Sequence, residues 1–380
     1  MPTTKIINAD CREALGSFAP NSIDTIITDP PYGLSFMGQG WDHSVPGPLF
    51  WKCALRVAKP GAYLFSFGST RLFHRLMCAI EDAGWELRDT MCWLYGTGFP
   101  KGLDVSKAID KEVGVNRYKL LRTEKHKVTL GATEAKVTGY VRPFMLNPNH
   151  LIDSDTTATP WSVPWQGYRP VLKPAWEPIV IAMKPVDKNF ANNALTYGVA
   201  GLNIDGSKVL PEGSSGKESS GGRYPSNVLH DGSEEATKDF PPTCKSSGGT
   251  APTTLGIGGA SRKLGNTFNP CVGANSGGLG DTGTAARYFY CAKPSASERG
   301  EYNTHPTVKP LALMRYLCKL SRPPSGGNVL DLFCGSGTTG VAALLENRDF
   351  VGIERNPAYC EIIEKRIADA RVKLNDVKEV

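Results

Sequence analysis

The chain of 380 residues carries a net charge of +6. It is 40% hydrophobic and 21% charged, as expected for a globular protein with a buried core. No apolar run reaches the roughly 18 residues that a membrane-spanning helix needs, and the first ten residues lack the apolar segment of a secretion signal. We therefore expect a cytoplasmic protein that has no membrane partner. The ten cysteines are scattered singly and have no histidine cluster nearby, so the sequence predicts neither a metal site nor a disulfide framework.

The positive charge is concentrated in the middle of the chain. Residues 101–190 contain 14 lysines and arginines against nine aspartates and glutamates, whereas residues 1–100 contain eight against nine. A polyanion such as DNA would favour this arrangement through phosphate contacts and the release of counterions. On charge alone, a solvated surface that binds no partner explains the same pattern equally well.

Strand and helix patterns alternate over residues 1–98. The apolar stretch at residues 22–28 predicts a buried strand that ends at a Pro-Pro loop, and helical spacing of apolar residues follows at Pro48–Ala58. Strands that alternate with helices predict an α/β fold with a parallel sheet. The other predicted elements of this region are a strand at 5–10, a helix at Cys11–Leu15, a strand at 61–69, a helix at Arg71–Ala83 and a strand at 87–96.

The alternation is lost after Gly98. One apolar stretch, about residues 175–185, predicts a core strand that pairs with the strand near Met91–Tyr95. Residues 191–290 contain 19 of the 41 glycines, a composition typical of long surface loops. Regular order resumes at residues 286–293 and continues with a helix at 310–320, a strand at 328–333, a helix at 339–347, a strand at 350–354 and a helix from Asn356 towards Lys373.

A glycine-rich loop follows one of these late strands. Gly335–Gly340 fits the pattern G-x-G-x-x-G between a predicted strand and a predicted helix, and Glu354 ends the next strand 19 residues after Gly335. Glycines let the backbone approach a nucleotide closely, and a carboxylate can accept hydrogen bonds from both ribose hydroxyls. This pattern alone fits NAD or FAD equally well. A simple tight turn explains it poorly, because strand, loop, helix and acid occur in the expected order.

The sequence Asp29-Pro30-Pro31-Tyr32 lies at the carboxyl end of a buried strand, where open α/β sheets bind ligands. The amino group of a nucleobase is a weak nucleophile because its lone pair is delocalised into the ring. Hydrogen bonds from its two protons to the Asp29 carboxylate and the Pro30 carbonyl would localise that lone pair, and no covalent intermediate is needed. The two prolines hold the acceptors rigidly, and Tyr32 offers a face for a flipped base. The alternative is an Asp-Pro-Pro turn that only closes a strand.

Taken together, the two motifs resemble those of the β-class DNA amino-methyltransferases, in which the catalytic motif precedes the target-recognition region and the cofactor motif follows it. The resemblance implies a circularly permuted Rossmann-like methyltransferase fold: α/β, with a mostly parallel twisted sheet, helices on both faces and a large loop-rich target-recognition insertion. It implies a catalytic half at 1–98, a target-recognition region at 99–290 and a cofactor-binding half at 291–380. Middle segments such as residues 221–232 look like those of a phage- and prophage-associated subgroup.

The resemblance also implies S-adenosylmethionine as cofactor and assigns residues to two sites. Asp29, Pro30, Pro31 and Tyr32 match the catalytic motif. The string HPTVKP at His305–Pro310 matches a motif that helps hold the methionine end of the cofactor. The residues implied to bind the cofactor are Asp10, Cys11, His305, Thr307, Lys309, Asp331, Phe333, Gly335, Ser336, Gly337, Thr338 and Glu354.

Within this set, Asp10 matches the acid that contacts the cofactor adenine, and Glu354 matches the ribose-binding acid. We expect the strand before Asp10 to lie beside the strand that ends at Glu354. The chain would then be a circular permutation in which remote segments build one continuous cofactor pocket. For His305 we prefer a structural role, capping the turn before Pro306, to any role in acid-base chemistry.

The function implied by the resemblance is methyl transfer to the exocyclic amino group of a flipped adenine in double-stranded DNA. Cytosine N4 stays open as the target; adenine is preferred because family members with Asp in the first motif position more often modify adenine. RNA or protein amide substrates and a dinucleotide-binding oxidoreductase are further alternatives. The former usually lack the permuted order, and the latter would leave Asp29–Tyr32 without a role. A homodimer fits a family in which many members pair, and the sequence does not identify a partner nuclease.

Two further features give weaker signals. Trp161, Trp165 and Trp176 are interleaved with Tyr168 and with basic residues, a pattern that could stack on an extruded base, but we favour a small local core under a long loop. The dipeptide Pro270-Cys271 resembles the nucleophile of cytosine ring-carbon methyltransferases. It lacks the strand context of such a nucleophile, and the Asp29 motif argues against it.

Overall fold

The computed structural model describes residues 2–34, 42–98, 102–114, 159–210, 222–243, 283–293, 298 and 302–376. The chain divides into two compact units. The larger unit comprises Met1–Thr97 and Ala175–Val380, and the smaller unit comprises Gly98–Pro174. The strands are β1 (Thr4–Asn8), β2 (Ile23–Thr28), β3 (Ala58–Phe67), β4 (Glu86–Leu94), β5 (Trp176–Met183), β6 (Val228–His230), β7 (Pro242–Thr243), β8 (Gly283–Thr284), β9 (Tyr290–Cys291), β10 (Asn328–Asp331) and β11 (Asp349–Glu354).

The described helices alternate with the strands at both ends of the chain, as the sequence predicts. They are α1 (Cys11–Gly16), α2 (Pro48–Val57), α3 (Phe73–Asp82), α4 (Val105–Glu112), α5 (Phe190–Tyr197), α6 (Glu234–Thr237), α7 (Leu311–Leu320), α8 (Thr338–Leu345) and α9 (Pro357–Asp376). α5, β6 and α6 interrupt residues 191–290, where the glycine content predicts long loops. Residues 211–221 and 244–282 of that region lie outside the described part of the chain.

Nine strands of the larger unit form one sheet in the order β1-β11-β10-β2-β3-β5-β4-β6-β9. Within this sheet, β5 runs antiparallel to its neighbours β3 and β4, and the other paired strands are parallel. The predicted α/β fold with a mostly parallel sheet is therefore confirmed. The pairing of β4 with β5 confirms the expected partner of the strand at 175–185. The parallel pairing of β1 with β11 confirms the neighbours that the permuted order predicts.

Alternate residues of the central strands enter two separate cores, one on each face of the sheet. Ile26 and Leu64 pack into one core with side chains of α1, α2 and α3. Ile27 and Phe65, which follow them directly, pack into the other core with side chains of α7, α8 and α9. Because successive side chains of a strand point to opposite faces, these contacts show helices on both faces of the sheet. Each fully buried Ile, Leu or Phe contributes about 1.5–3 kcal/mol of hydrophobic stabilisation.

In the smaller unit, the described tryptophans are exposed. Trp161 is 68% exposed and Trp165 is 46% exposed. The ring of Trp165 contacts that of Tyr168, with centroids 5.4 Å apart. The expectation that these two tryptophans form a small buried core is wrong, because the side chains around the 3-10 turn Val163–Trp165 leave both of them largely accessible to solvent. Trp176 belongs to β5 in the larger unit, where its ring packs edge-on against Phe73 at a centroid distance of 6.0 Å.

Candidate active site

The predicted site residues follow strands whose carboxyl ends meet at one edge of the sheet. Asp10 follows β1, Asp29–Tyr32 follow β2, the glycine loop follows β10, and Glu354 is the last residue of β11. Glu354 is paired with Asn8 in the register of β1 and β11. The permuted topology thus brings the two ends of the chain to the same edge, which is where open α/β sheets bind ligands.

Asp331 joins the catalytic strand to the glycine loop. Its Oδ1 accepts hydrogen bonds from the Thr28 hydroxyl at 2.7 Å and from the Phe333 amide at 3.1 Å, and its Oδ2 accepts one from the Thr339 hydroxyl at 2.5 Å. The side chain is buried, and burial raises the pKa of Asp331 to about 6 although these hydrogen bonds oppose the shift. Both carboxylate oxygens are therefore occupied by protein donors beneath the loop.

The backbone of the glycine loop is left-handed at Gly335 and Gly337, with φ angles of +54° and +78°. A Cβ at Gly337 would lie 2.8 Å from the side chain of Ile363, and a Cβ at Gly335 would lie 3.2 Å from His305 Nε2. Both positions therefore need glycine for conformation and for space. The Gly335 amide donates to Glu354 Oε2 at 2.8 Å, and the loop thereby reaches the acid at the end of β11.

Ser336 and Thr338 are held from below by Arg366 of α9. The Arg366 guanidinium donates to the Ser336 carbonyl at 2.7 Å, to the Ser336 hydroxyl at 3.1 Å and to the Thr338 hydroxyl at 2.9 Å. All three residues are buried, and burial lowers the pKa of Arg366. These hydrogen bonds pair the polar groups of Ser336 and Thr338 inside the protein and fix the path of the loop backbone.

His305 packs against the glycine loop through a turn of its own segment. Its Nδ1 lies 2.6 Å from the Thr307 carbonyl, and the His305 amide donates to Asn303 Oδ1 at 3.0 Å. The ring meets that of Tyr359 edge-on at a centroid distance of 4.5 Å. These contacts agree with the structural role preferred for His305, and they bring the ring to the same loop that is predicted to bind the cofactor.

Asp10 and Cys11 follow β1 and begin α1. The Asp10 carboxylate accepts hydrogen bonds from the Arg12 amide and from its guanidinium Nε and Nη2, each 2.9 Å long, and the side-chain bond lowers the pKa of Asp10. The guanidinium lies 4.7 Å from the centre of the Phe50 ring, which is 6.1 Å from that of Phe333. Cys11 is buried, which raises the pKa of its thiol to about 12, so the thiol is neutral at physiological pH.

The side chains of Asp29, Tyr32, Glu177 and Lys309 form one group, which we call the catalytic cluster. Tyr32 Oη lies 2.6 Å from Asp29 Oδ1 and also contacts the Glu177 carboxylate. The Lys309 ammonium forms ion pairs with Asp29 at 3.1 Å and with Glu177 at 2.7 Å, and it donates to Tyr32 Oη at 2.9 Å. Three charged groups and one phenol are thus connected directly at the end of β2.

The catalytic cluster is largely removed from solvent. The exposed fraction is 15% for the Lys309 side chain, 12% for Glu177 and 29% for Asp29. Burial alone would lower the pKa of Lys309, but the charges of Asp29 and Glu177 outweigh burial and raise it. Burial, together with the same two carboxylates, raises the pKa of Tyr32 well above its usual value. The lysine is therefore charged and the phenol protonated at neutral pH.

The backbone of the catalytic loop is fixed by Asp42, which is 2% exposed. Its Oδ1 accepts hydrogen bonds from the amides of Tyr32 at 2.6 Å and Gly33 at 2.8 Å, and its Oδ2 accepts one from the Leu34 amide at 3.2 Å. A carboxylate that binds three successive amides constrains the turn that follows Pro31.

Comparison with known proteins identifies the family. A family model described as DNA methylase matches residues 23–365. The chain belongs to this N6/N4 DNA methylase family. The match covers both the Asp29 loop and the glycine loop, and the assignment leaves the dinucleotide-binding oxidoreductase without support.

Individual relatives match over shorter stretches. The DNA adenine methyltransferase YhdJ of Escherichia coli is 45% identical over 67 residues, which cover 18% of this chain and 22% of that protein. The type II methyltransferase M.BglI of Bacillus subtilis is 44% identical over 71 residues, or 19% of this chain and 20% of that protein. The matched stretch thus spans about a fifth of the length of these curated relatives.

Among solved structures, M1.HpyAVI in complex with SAM aligns with 96% of this chain and 100% of its own, at 16% identity and a TM-score of 0.42. The cytosine-N4-specific PvuII DNA methyltransferase aligns with 97% of this chain and 91% of its own, at 15% identity and a TM-score of 0.46. These scores are low, so the family assignment rests on the family model.

The residues predicted to bind the cofactor do not all lie in one place. Asp10, Gly335 and Glu354 lie together at the ends of neighbouring strands, whereas Asp331 contacts protein groups beneath the loop. Lys309, predicted at the methionine end of the cofactor, has its ammonium in the catalytic cluster. No contact in the structure tests cofactor binding directly, so these assignments stay predictions.

Sequence reasoning missed Glu177, Asp42 and Arg366. Glu177 is the second residue of β5, and its position at the catalytic edge follows only once β5 is known to run antiparallel. Asp42 is a single acid in an irregular segment, and no motif marks it. Arg366 is one of several basic residues on α9, and nothing in its spacing distinguishes it.

Three further predictions concern a metal site, a membrane-spanning helix and the dipeptide Pro270-Cys271. In the described part of the chain, no group of three or more His, Cys, Asp or Glu side chains is arranged to hold a metal ion. No helix among the same residues is both long enough and apolar enough to cross a membrane. Pro270-Cys271, the rejected ring-carbon nucleophile, lies outside the described residues.

Proposed function

We propose that this methylase transfers a methyl group from S-adenosylmethionine to the exocyclic amino group of a flipped adenine in double-stranded DNA. The observation that carries the proposal is the hydrogen bond of 2.7 Å between Thr28 and Asp331. These residues end β2 and β10, and each directly precedes one of the two predicted binding loops. A base held by the Asp29 loop and a methyl donor held by the glycine loop would therefore meet at one edge of the sheet.

The residues at this edge fit S-adenosylmethionine. Gly335 and Gly337 present no side chain to a ligand. Glu354 accepts hydrogen bonds of 2.8 Å from the amides of Gly335 and Asn356, and a carboxylate with about four acceptor positions retains capacity for ribose hydroxyls. Asp10, after the neighbouring strand, is an acceptor suited to an adenine amino group. When bound, the cofactor supplies an electrophilic methyl group.

Asp29 and Pro30 prepare the nucleophile. Hydrogen bonds from the two amino protons to the Asp29 carboxylate and the Pro30 carbonyl localise the nitrogen lone pair towards the methyl donor. The nitrogen becomes cationic as it is methylated, and the adjacent carboxylate stabilises that charge and can take the released proton. Tyr32, fixed by its contacts with Asp29 and Glu177, provides a face on which the flipped base stacks.

Adenine is proposed over cytosine for two reasons. Family members with Asp in the first position of the catalytic motif more often modify adenine, and this chain has Asp29 there. The relative YhdJ is named as a DNA adenine methyltransferase. Both reasons are analogies, so the base is the first thing to measure.

The test is to incubate the purified protein with labelled S-adenosylmethionine and unmodified duplex DNA, digest the DNA to nucleosides and identify the product by mass. We expect N6-methyladenine. N4-methylcytosine would keep the mechanism and overturn the choice of base. If no methylated nucleoside forms on DNA of varied sequence although calorimetry shows cofactor binding, the proposal of a DNA substrate is overturned, and RNA and protein are the next substrates to assay. A parallel reaction with single-stranded DNA tests the requirement for a duplex.

The proposal extends to the biological setting. Relatives named as type II methyltransferases, and the likeness of residues 221–232 to a phage- and prophage-associated subgroup, support a cytoplasmic enzyme of bacteria or phage-infected cells, related to restriction-modification. A homodimer is included because many family members pair, and light scattering on the purified protein tests it.

A further inference from the structure

The second acidic residue of the catalytic cluster, Glu177, has no part in the catalytic motif. It reaches the site because β5 is antiparallel to its neighbours, so that the start of this strand lies where theirs end. The backbone there is anchored by the Gly68 amide, which donates to the Pro178 carbonyl at 3.0 Å. The direction of β5 in the sheet therefore places Glu177 beside the catalytic loop.

Glu177 changes the net charge of the cluster. Asp29 and Lys309 alone would form a neutral ion pair, with the ammonium 3.1 Å from the carboxylate. Glu177 adds a second carboxylate 2.7 Å from the same ammonium, so Asp29, Glu177 and Lys309 together carry one negative charge. A net negative charge favours an amino nitrogen that becomes cationic during methyl transfer, whereas a neutral pair does not.

Glu177 also orients the other two members of the cluster. Its carboxylate contacts the Tyr32 hydroxyl, which on its other side lies 2.6 Å from Asp29. The Lys309 ammonium, fixed between the carboxylates, lies 4.7 Å from the centre of the Phe67 ring. A ring and an ammonium held from several sides need little rearrangement when a base arrives.

We propose that Glu177 is a positioning residue of the methyl-transfer site, which holds Lys309 and Tyr32 against Asp29 and gives the catalytic cluster its net negative charge. The inference rests on the proposed function and deepens it. It adds to the motif-derived catalytic loop a residue that acts through its neighbours, 148 positions after Asp29.

The experiment compares steady-state kinetics of the full-length protein with those of Glu177→Gln, Lys309→Met and the double variant. Glu177→Gln keeps the side-chain size and removes the charge, so the cluster becomes neutral. We expect kcat to fall about 100-fold, with the KM for S-adenosylmethionine within about twofold of wild type. The double variant again carries one negative charge, on Asp29, and should be at least several-fold more active than Glu177→Gln.

Two further variants separate charge from folding. Glu177→Asp keeps the charge with a shorter reach and should retain more activity than Glu177→Gln. Glu346→Gln is the matched control, because Glu346 is another half-buried glutamate in an ion pair, with Arg315 at 2.7 Å, and it lies at the C-terminal end of α8, whereas the glycine loop lies at the N-terminal end. We expect its kcat to equal that of wild type. If Glu177→Gln does not fold, as judged by its melting curve, Glu177→Asp decides the question: a lowered kcat with an unchanged KM for S-adenosylmethionine supports the positioning role, and a wild-type kcat overturns it.

The outcomes distinguish this inference from the proposed function. A wild-type protein that methylates DNA, together with an unchanged kcat in Glu177→Gln or a double variant no better than Glu177→Gln, overturns the positioning role and leaves the function standing. A wild-type protein that methylates no DNA overturns the proposed function, and this inference with it.

Discussion

The glycine loop and the catalytic loop lie at the same edge of the sheet but are stabilised in different ways. The glycine loop is shaped by its own left-handed backbone and by buried partners, such as Asp331 at its start and Arg366 and Ile363 beneath it. The catalytic loop is held by the charged side chains of Asp42, which is near in the chain, and of Glu177 and Lys309 from remote segments. Substitutions in the glycine loop should therefore alter protein stability and cofactor affinity. Substitutions in the catalytic loop should alter the turnover rate.

The strongest test of this difference is Asp29→Ala. Without the carboxylate the amino protons lose their acceptor, and Lys309 loses one of its two ion pairs. We expect kcat to fall at least about 1000-fold, with the affinity for S-adenosylmethionine within about twofold of wild type, measured by nucleoside mass analysis and calorimetry. Asp82→Ala, on the exposed end of α3, is the control. Retained activity in Asp29→Ala would remove this residue from the mechanism.

On the glycine-loop side, the buried acid Asp331 predicts an unusual pH dependence of stability. Its pKa is raised to about 6 in the folded protein from 3.8 in the unfolded chain, so between these values the folded state binds the extra proton. Its contribution to the free energy of unfolding therefore increases as the pH falls from about 6 to about 4, by about 3 kcal/mol.

The measurement is urea denaturation of wild type and Asp331→Asn from pH 4 to pH 7.5. The difference in the free energy of unfolding isolates Asp331 from the other titrating groups. We expect wild type to gain relative to the variant as the pH falls through 6. A difference that is flat with pH, or that changes in the opposite direction, would show that the carboxyl is not the titrating group.

A third test concerns the shape of the glycine loop. Gly337→Ala forces a left-handed alanine and brings its Cβ to 2.8 Å from Ile363. We expect the free energy of unfolding to fall by about 2 kcal/mol and cofactor affinity to weaken with it. Gly198→Ala is a matched control, since Gly198 has a φ of +73° and no atom within 4 Å of its Cβ position. Equal losses in the two variants would mean that the contact with Ile363 contributes nothing.

The same contrast explains what the sequence could reveal. The strand ends that carry Asp10, Asp29 and Glu354 were predictable, because hydrophobic runs and the glycine pattern mark the strands and their loops. Glu177 was not, because its contribution depends on the direction of β5, which the apolar run does not encode.

Other features depend on packing that only the folded chain defines. Arg366 supports the glycine loop from α9, 30 residues after Ser336, and its role arises from burial. The small core expected around Trp161 and Trp165 failed for the converse reason, since apolar character alone does not create the neighbours that bury a ring. Sequence motifs therefore predicted the residues expected to contact the ligands. The tertiary structure was needed to find the residues that hold those residues in place.

The smallest effect expected is that of Asp42→Asn. The amide retains one acceptor oxygen but turns a donor towards the backbone amides of the catalytic loop, so one or more of the three hydrogen bonds is lost. Because the Asp42 carboxylate binds three successive amides of the catalytic loop, we expect kcat to fall about tenfold while cofactor affinity is unchanged. Asp205→Asn, at an exposed aspartate paired with Lys208, is the control. If Asp42→Asn instead weakened cofactor binding and spared kcat, the two loops would not be supported independently, and the division between them would fail.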